Sequence, residues 1–166
     1  MDLSARKGPI RLNIGAGSKV VLGFLSVGLD PGHDIRCDFR AIPVPTASVD
    51  EAIAIHVLEH VWRWECGDAL REWFRIMKPG GMLAIEMPDL VKCCRNVVAG
   101  LPESMGIRGL YGDQTFRDPL MTHRWLYTED EIKAELRAAG FAKVRSATPQ
   151  FHGRRIARDM RVEAWA

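Results

Sequence analysis

Glycine, acidic and imidazole residues recur along this chain at the ends of short apolar runs. Gly15-Ala16-Gly17 stops the run Ile10 to Ile14, Asp30 follows Phe24 to Leu29, and Asp38 falls in the stretch Asp34 to Phe39. His56, Glu59 and His60 gather at the end of Ala52 to Leu58. In open α/β sheets, ligands settle beyond the carboxyl ends of the strands, so residues ordered this way are suited to line a ligand site. The glycine turn is not the dinucleotide fingerprint, because Val20 stands at its third glycine position, and no Gly-Lys-Ser/Thr follows to make a phosphate-binding loop. A glycine turn without a phosphate cradle suits a nucleoside that carries no pyrophosphate, although a plain tight turn explains it too. Asp30 either begins a turn or accepts both hydroxyl hydrogens of a ribose. His60 and His123, with Glu59 third, have the chemistry of a general base. Each also suits a structural post, Glu59 and His60 opening a helix and His123 sitting in a loop.

These residues need strands and helices to position them. Ile10 to Ile14, Phe24 to Leu29, Asp34 to Phe39, Ala52 to Leu58 and Met82 to Met87 have strand length, and most end in glycine, proline or aspartate. Between Asp68 and Met77 the period changes: Leu70, Trp73, Phe74 and Met77 share one face at helical spacing, and Lys78-Pro79-Gly80-Gly81 ends that helix. Pro88-Asp89 opens a second helix running to Gly100, and residues 101–127 read as an irregular excursion. Thr128 to Glu131 has the form of a capping box, in which the threonine hydroxyl and the glutamate carboxylate satisfy each other's free backbone donors. The helix it starts runs to Gly140. Phe141 to Ala147 and Arg161 to Trp165 close the chain as two strands with no helix between them. The expected fold is α/β: a Rossmann-like, doubly wound, mostly parallel sheet with an antiparallel last strand, in one domain over residues 1–166.

The totals bound the partners. Hydrophobic residues make up 47% and charged residues 27%, and the net charge of +2 is silent on nucleic acid. Arg154, Arg155, Arg158 and Arg161 crowd the end of the chain and read first as a solvated face. The four cysteines, Cys37, Cys66, Cys93 and Cys94, form no CxxC pair and have no zinc-like spacing with histidine. They read as free thiols in a reducing compartment, and no metal is expected. No stretch approaches the roughly 20 apolar residues of a membrane span, nor does a signal peptide stand out, so a cytoplasmic protein is expected.

Asn13-Ile14-Gly15-Ala16-Gly17, Asp30, Cys37-Asp38-Phe39, His56-Val57-Leu58-Glu59-His60 and Met77-Lys-Pro-Gly-Gly81 follow one another as in class I S-adenosylmethionine-dependent methyltransferases. The chain most resembles the small members related to the ubiquinone-biosynthesis type (type 11), and Ala138 to Phe141 and Val162 to Trp165 extend the likeness over nearly its whole length. The resemblance implies S-adenosylmethionine as cofactor, with Asn13, Ile14, Gly15, Ala16 and Gly17 passing its methionine and ribose. Asp30 would bind the ribose hydroxyls, Asp38 the adenine amino group, and the Phe39 backbone N–H would face the ring. His56 and Leu58 would lie near the methionine end, chiefly through backbone. Asp38 as a turn residue and His56 as a core histidine are the plainer readings of those two positions.

One departure from the family is plain. Only twelve residues separate Gly17 from Asp30, too few for a full helix and a full strand. The first crossover helix must be lost or shortened, which leaves one sheet face thinly covered, to be closed by the N-terminal segment or by a second copy in a homodimer. The acceptor pocket is expected among Trp62, Trp64, Tyr111, His123, Arg124 and Trp125, whose rings suit a planar or sugar-like molecule. The acceptor is therefore expected to be a small molecule or saccharide. Nucleic acid is not expected, since the Asn/Asp-Pro-Pro-Tyr/Phe motif of amino-group DNA methylation is absent. The alternative reading is a degenerate cofactor-binding module that serves as a partner subunit.

Overall fold

The computed structural model describes residues 8–166. Seven strands form one sheet: β1 (Arg11–Ile14), β2 (Leu25–Gly28), β3 (Ile35–Arg36), β4 (Val49–Ile55), β5 (Met77–Pro88), β6 (Lys143–Ala147) and β7 (Asp159–Trp165). Their order is β3-β2-β1-β4-β5-β7-β6, with β1 to β5 parallel and β7 antiparallel to both neighbours. The chain runs outward from β1 to β3, then returns to the other side of β1 as β4. The crevice beyond the carboxyl ends of β1 and β4 is therefore the topological switch point where α/β sheets bind ligands.

The two sheet faces differ because the helices are unevenly distributed. Leu12, Ile14, Ala52, Ala54, Leu83 and Ile85 point to one side, where α1 (Cys66–Ile76) and α4 (Glu129–Ala139) bury Leu70, Trp73, Ile76, Ile132 and Leu136 against them. Both helices show the expected amphipathic spacing, and the Thr128–Glu131 capping box starts α4 as the sequence predicts. Trp73 is fully buried and still satisfies its indole, which donates to the Phe39 carbonyl at 3.0 Å.

On the opposite face, the β1–β2 and β2–β3 connections contain no helix, as the short Gly17–Asp30 spacing predicts. Part of that face is instead covered by the segment joining β6 to β7. The Gln150 and Phe151 N–H groups donate to the Glu86 carboxylate of β5 at 2.7 and 3.1 Å, and Phe151 lines a small cavity together with Asn13, Val21 and Ile55. The N-terminal cover expected from the sequence lies outside the described residues.

Three local expectations are corrected. The fourth strand stops at Ile55 rather than Leu58, because His56 takes a left-handed conformation (φ +55°) and Leu58–His60 turn into a 3-10 helix. The third strand shrinks to Ile35–Arg36, since Asp34 and the Asp38–Arg40 turn bracket it. Two of the C-terminal arginines do not belong to a solvated face: Arg158 and Arg161 are each 4% exposed, Arg158 ion-paired to Asp159 and Arg161 to Glu86 and Glu163. No helix among the described residues is long and apolar enough to cross a membrane, and all four cysteines are free.

Candidate active site

At the end of β1 the chain must turn sharply over β4. Gly15 has φ +64°, and a Cβ there would lie 2.6 Å from a Val57 methyl, so only glycine fits. Ala16 N–H donates to the Val27 carbonyl at 3.0 Å and ties the turn to β2. Gly17, with φ +52°, has no atom within 4 Å of where a Cβ would stand, which leaves its backbone open to a ligand. Asn13 is buried and donates to the Lys19 carbonyl at 3.3 Å; Ile14 is wholly in the core and can offer a ligand only its backbone.

Asp30 lies just past β2, exposed, and its carboxylate has no partner among the described residues. His33, which sequence reasoning passed over, joins it to the glycine turn. The ring places Nδ1 3.1 Å from the Asp30 carbonyl and Nε2 3.0 Å from the Gly17 carbonyl. Asp38 is more committed: both carboxylate oxygens accept from Arg40, which also binds Glu65. Hydrogen bonding from Arg40 holds Asp38 below the usual carboxylate range. The Phe39 ring packs edge-on to Trp73, and its backbone N–H has no partner among the described residues.

Beyond β4 lies a buried ionic cluster. His56 Nδ1 is 2.8 Å from Glu59 Oε1, and its Nε2 is 3.2 Å from Asp159 Oδ2. Burial disfavours the imidazolium, but the hydrogen bonds and charges of the two carboxylates outweigh it and raise His56 to about 9. Burial likewise opposes charge on Glu59, yet the hydrogen bond and charge of His56 draw it down to about 2. Asp159 also accepts from Arg158 at 2.5 Å. His152 stacks edge-on to His56 and sits 2.6 Å from Lys19 Nζ. Burial, then the charges of His56 and Lys19, push His152 down to about 4, so it accepts from the lysine. No local pattern reveals Asp159 or His152, because each reaches this cluster from the far end of the chain.

Glu59, His60 and His123 meet on the outer side of this cluster. The two rings lie edge to face with centroids 4.9 Å apart, and His123 Nε2 is 3.9 Å from Glu59 Oε1. Burial pushes His123 below the ordinary imidazole range against the pull of Glu59. Leu58 is fully buried, and its carbonyl accepts from the Val61 N–H, so its side chain faces the core rather than a ligand. Next to His60, Trp62 and Trp64 stack 5.0 Å apart and stay 42% and 74% exposed, with the Arg124 guanidinium 5.1 Å above the Trp62 ring. Tyr111 and Trp125 are exposed as well, at 61% and 43%.

The mostly parallel sheet, with a glycine turn and an exposed acid at its switch point, is the Rossmann-like arrangement of the methyltransferases to which the chain is similar. Residues 15–85 match the family model described as "Methyltransferase domain". A curated relative from Mycolicibacterium smegmatis, named "Probable S-adenosylmethionine-dependent methyltransferase", is 34% identical over 62 residues, which are 37% of this chain. The matched stretch spans only 23% of that relative's length. Among solved structures, a SAM-dependent methyltransferase from Archaeoglobus fulgidus superposes with a TM-score of 0.64 at 15% identity, covering 96% of this chain and 87% of that one. The 1,6-didemethyltoxoflavin-N1-methyltransferase of Burkholderia thailandensis, solved with 1,6-didemethyltoxoflavin and S-adenosylhomocysteine, gives 0.63 at 20% identity, over 95% and 71% of the two chains. Both superpositions show the shared fold. S-adenosylmethionine is the cofactor of these methyltransferases, and the open Gly17 backbone with the Asp30 carboxylate, partnerless among the described residues, fits its nucleoside.

Proposed function

We propose that the chain transfers a methyl group from S-adenosylmethionine to a small-molecule or saccharide acceptor. The observation that carries this reading is the exposed Asp30 carboxylate, without a partner among the described residues, on a residue whose backbone carbonyl His33 links to the open glycine turn. When bound, the cofactor supplies a methyl already made electrophilic by its sulfonium, so the protein's share is binding, orientation and exclusion of water.

In this proposal Asp30 takes the ribose hydroxyls, the turn at residues 13–17 passes the ribose and methionine, and the free Phe39 N–H meets the adenine edge. Asp38 shares its carboxylate between Arg40 and the adenine amino group. His56 positions rather than reacts: it holds a proton between Glu59 and Asp159 and so fixes the end of β4. The acceptor rests against the Trp62–Trp64 stack and Arg124, which suit a flat or sugar-like molecule with some negative charge. His60 and His123 face that acceptor. Their Nδ1 atoms lie against the Thr122 and Gly109 carbonyls at 3.1 and 2.7 Å, which leaves each Nε2 to accept. Glu59, fully buried and ionised against His56, is not a proton acceptor at neutral pH.

Asp30→Ala tests the reading. Losing a charge-assisted hydrogen bond costs about 1.5–3 kcal/mol, so affinity for S-adenosylhomocysteine should fall by about one to two orders of magnitude while the melting temperature holds. An unchanged affinity in the folded variant would remove Asp30 from the site.

A further inference from the structure

Glu59, His60 and His123 do more than crowd together. One donor atom from each, an imidazole nitrogen twice and a carboxylate oxygen once, lie within 4.8 Å of one another. Glu59 is wholly buried, and its Oε2 is one of two buried side-chain polar atoms with no hydrogen-bond partner among the described residues. An unsatisfied carboxylate oxygen at that depth is costly unless something outside the chain's own hydrogen bonds meets it. Its sister Oε1 is held by His56, so Oε2 is the free ligand position.

The histidines are set the way metal ligands are set. A carbonyl oxygen can only accept, so Nδ1 of His60 against Thr122 and Nδ1 of His123 against Gly109 carry the ring protons, and each Nε2 keeps its lone pair. Ligating histidines commonly donate their other N–H to a backbone carbonyl, which fixes tautomer and ring angle. Glu59 has its own outer support in His56, which is in turn held by Asp159.

We infer that Glu59 Oε2, His60 Nε2 and His123 Nε2 form a three-ligand site for a divalent transition-metal ion. Two imidazoles and one carboxylate suit Zn²⁺ or Fe²⁺ and leave coordination positions open. Tetrahedral donors about 2.1 Å from zinc stand about 3.4 Å apart, so the ligands close by roughly an ångström as the ion enters. The site was not foreseen from spacing because it uses no cysteine, and His123 lies 63 residues beyond His60 in the chain. With an ion in place, His60 and His123 act as ligands rather than bases, and an acceptor oxygen in an open position loses its proton to water more readily. That last consequence rests on the proposed methyl transfer; the site itself does not.

The test is metal binding by the untagged 166-residue chain without cofactor. Titration with Zn²⁺, followed by calorimetry and metal analysis, is expected to give one ion per chain with micromolar or tighter affinity. Co²⁺ should give visible absorption bands of nitrogen and oxygen ligation without thiolate charge transfer. His123→Ala and, independently, His60→Ala should each weaken Zn²⁺ binding at least about 30-fold. The Cys37→Ser/Cys94→Ser variant should bind as the parent does. No stoichiometric binding by the parent chain, or undiminished binding by both folded histidine variants, would overturn the site. Because S-adenosylhomocysteine binding is read separately, a failed metal site and a failed methyltransferase assignment are told apart.

Discussion

His56→Leu is expected to destabilise the protein by about 3–5 kcal/mol, because it leaves the buried Glu59 carboxylate without its hydrogen-bond donor and Asp159 with Arg158 alone. Glu59 and Asp159 are 0% and 1% exposed, and each leans on one nitrogen of the ring. The pH dependence separates this account from simple loss of packing. With His56 raised from 6.5 to about 9, the folded state binds the proton more tightly than the unfolded chain does. The resulting stabilisation is complete below pH 6.5 and is lost as pH climbs through about 9. His152 acts on the acid side. Lowered to about 4, it stays neutral in the fold while the unfolded chain protonates, so stability grows as pH rises from about 4 to 6.5. Thermal melts of the parent should therefore peak in stability near pH 6.5. In His56→Leu the alkaline decline should disappear, and acidification should recover part of the loss, since protonated carboxyl groups are cheaper to bury. A leucine variant that keeps the parent's alkaline decline would place its origin elsewhere.

Gly112→Ala should be nearly as damaging, through backbone rather than charge. Gly112 has φ +83°, and a Cβ there would lie 1.9 Å from the Met121 carbonyl oxygen. The contact closes the excursion between α2 (Leu90–Val98) and α4, where α3 (Ile107–Tyr111) doubles back so that the His123 N–H donates to the Tyr111 carbonyl at 3.3 Å. Alanine cannot fit unless the two strands of that loop part, so about 2–4 kcal/mol should be lost. In a domain of this size that lowers the melting point by about 2–4 °C per kcal/mol. The same movement carries His123 away from Glu59 and His60, so Zn²⁺ affinity should drop although every ligand is present. A parent-like melting temperature would show that the loop does not close there.

Much of the architecture is legible in the residues because it depends on local period and punctuation. The apolar runs ending in Gly15, Asp30 and Pro88 are strands, the three-and-four spacing of Leu70, Trp73 and Phe74 is a helix, and Thr128 caps the helix it precedes. The shortened first crossover follows from counting residues between Gly17 and Asp30. What escaped local reading depends on partners distant in sequence. Arg161 looks solvated until β5 and β7 bring Glu86 and Glu163 to its side. His56 reads as one more strand residue, yet its left-handed backbone ends β4 and turns the ring between Glu59 and Asp159. The base candidates His60 and His123 were legible as residue types; their pairing over a buried glutamate was not.

The switch point between β1 and β4 is expected to bind S-adenosylmethionine. The most direct measurement is calorimetric titration of the chain with S-adenosylmethionine and, separately, with S-adenosylhomocysteine. One site per chain with micromolar affinity for both is the predicted result, and failure to bind either would contradict it.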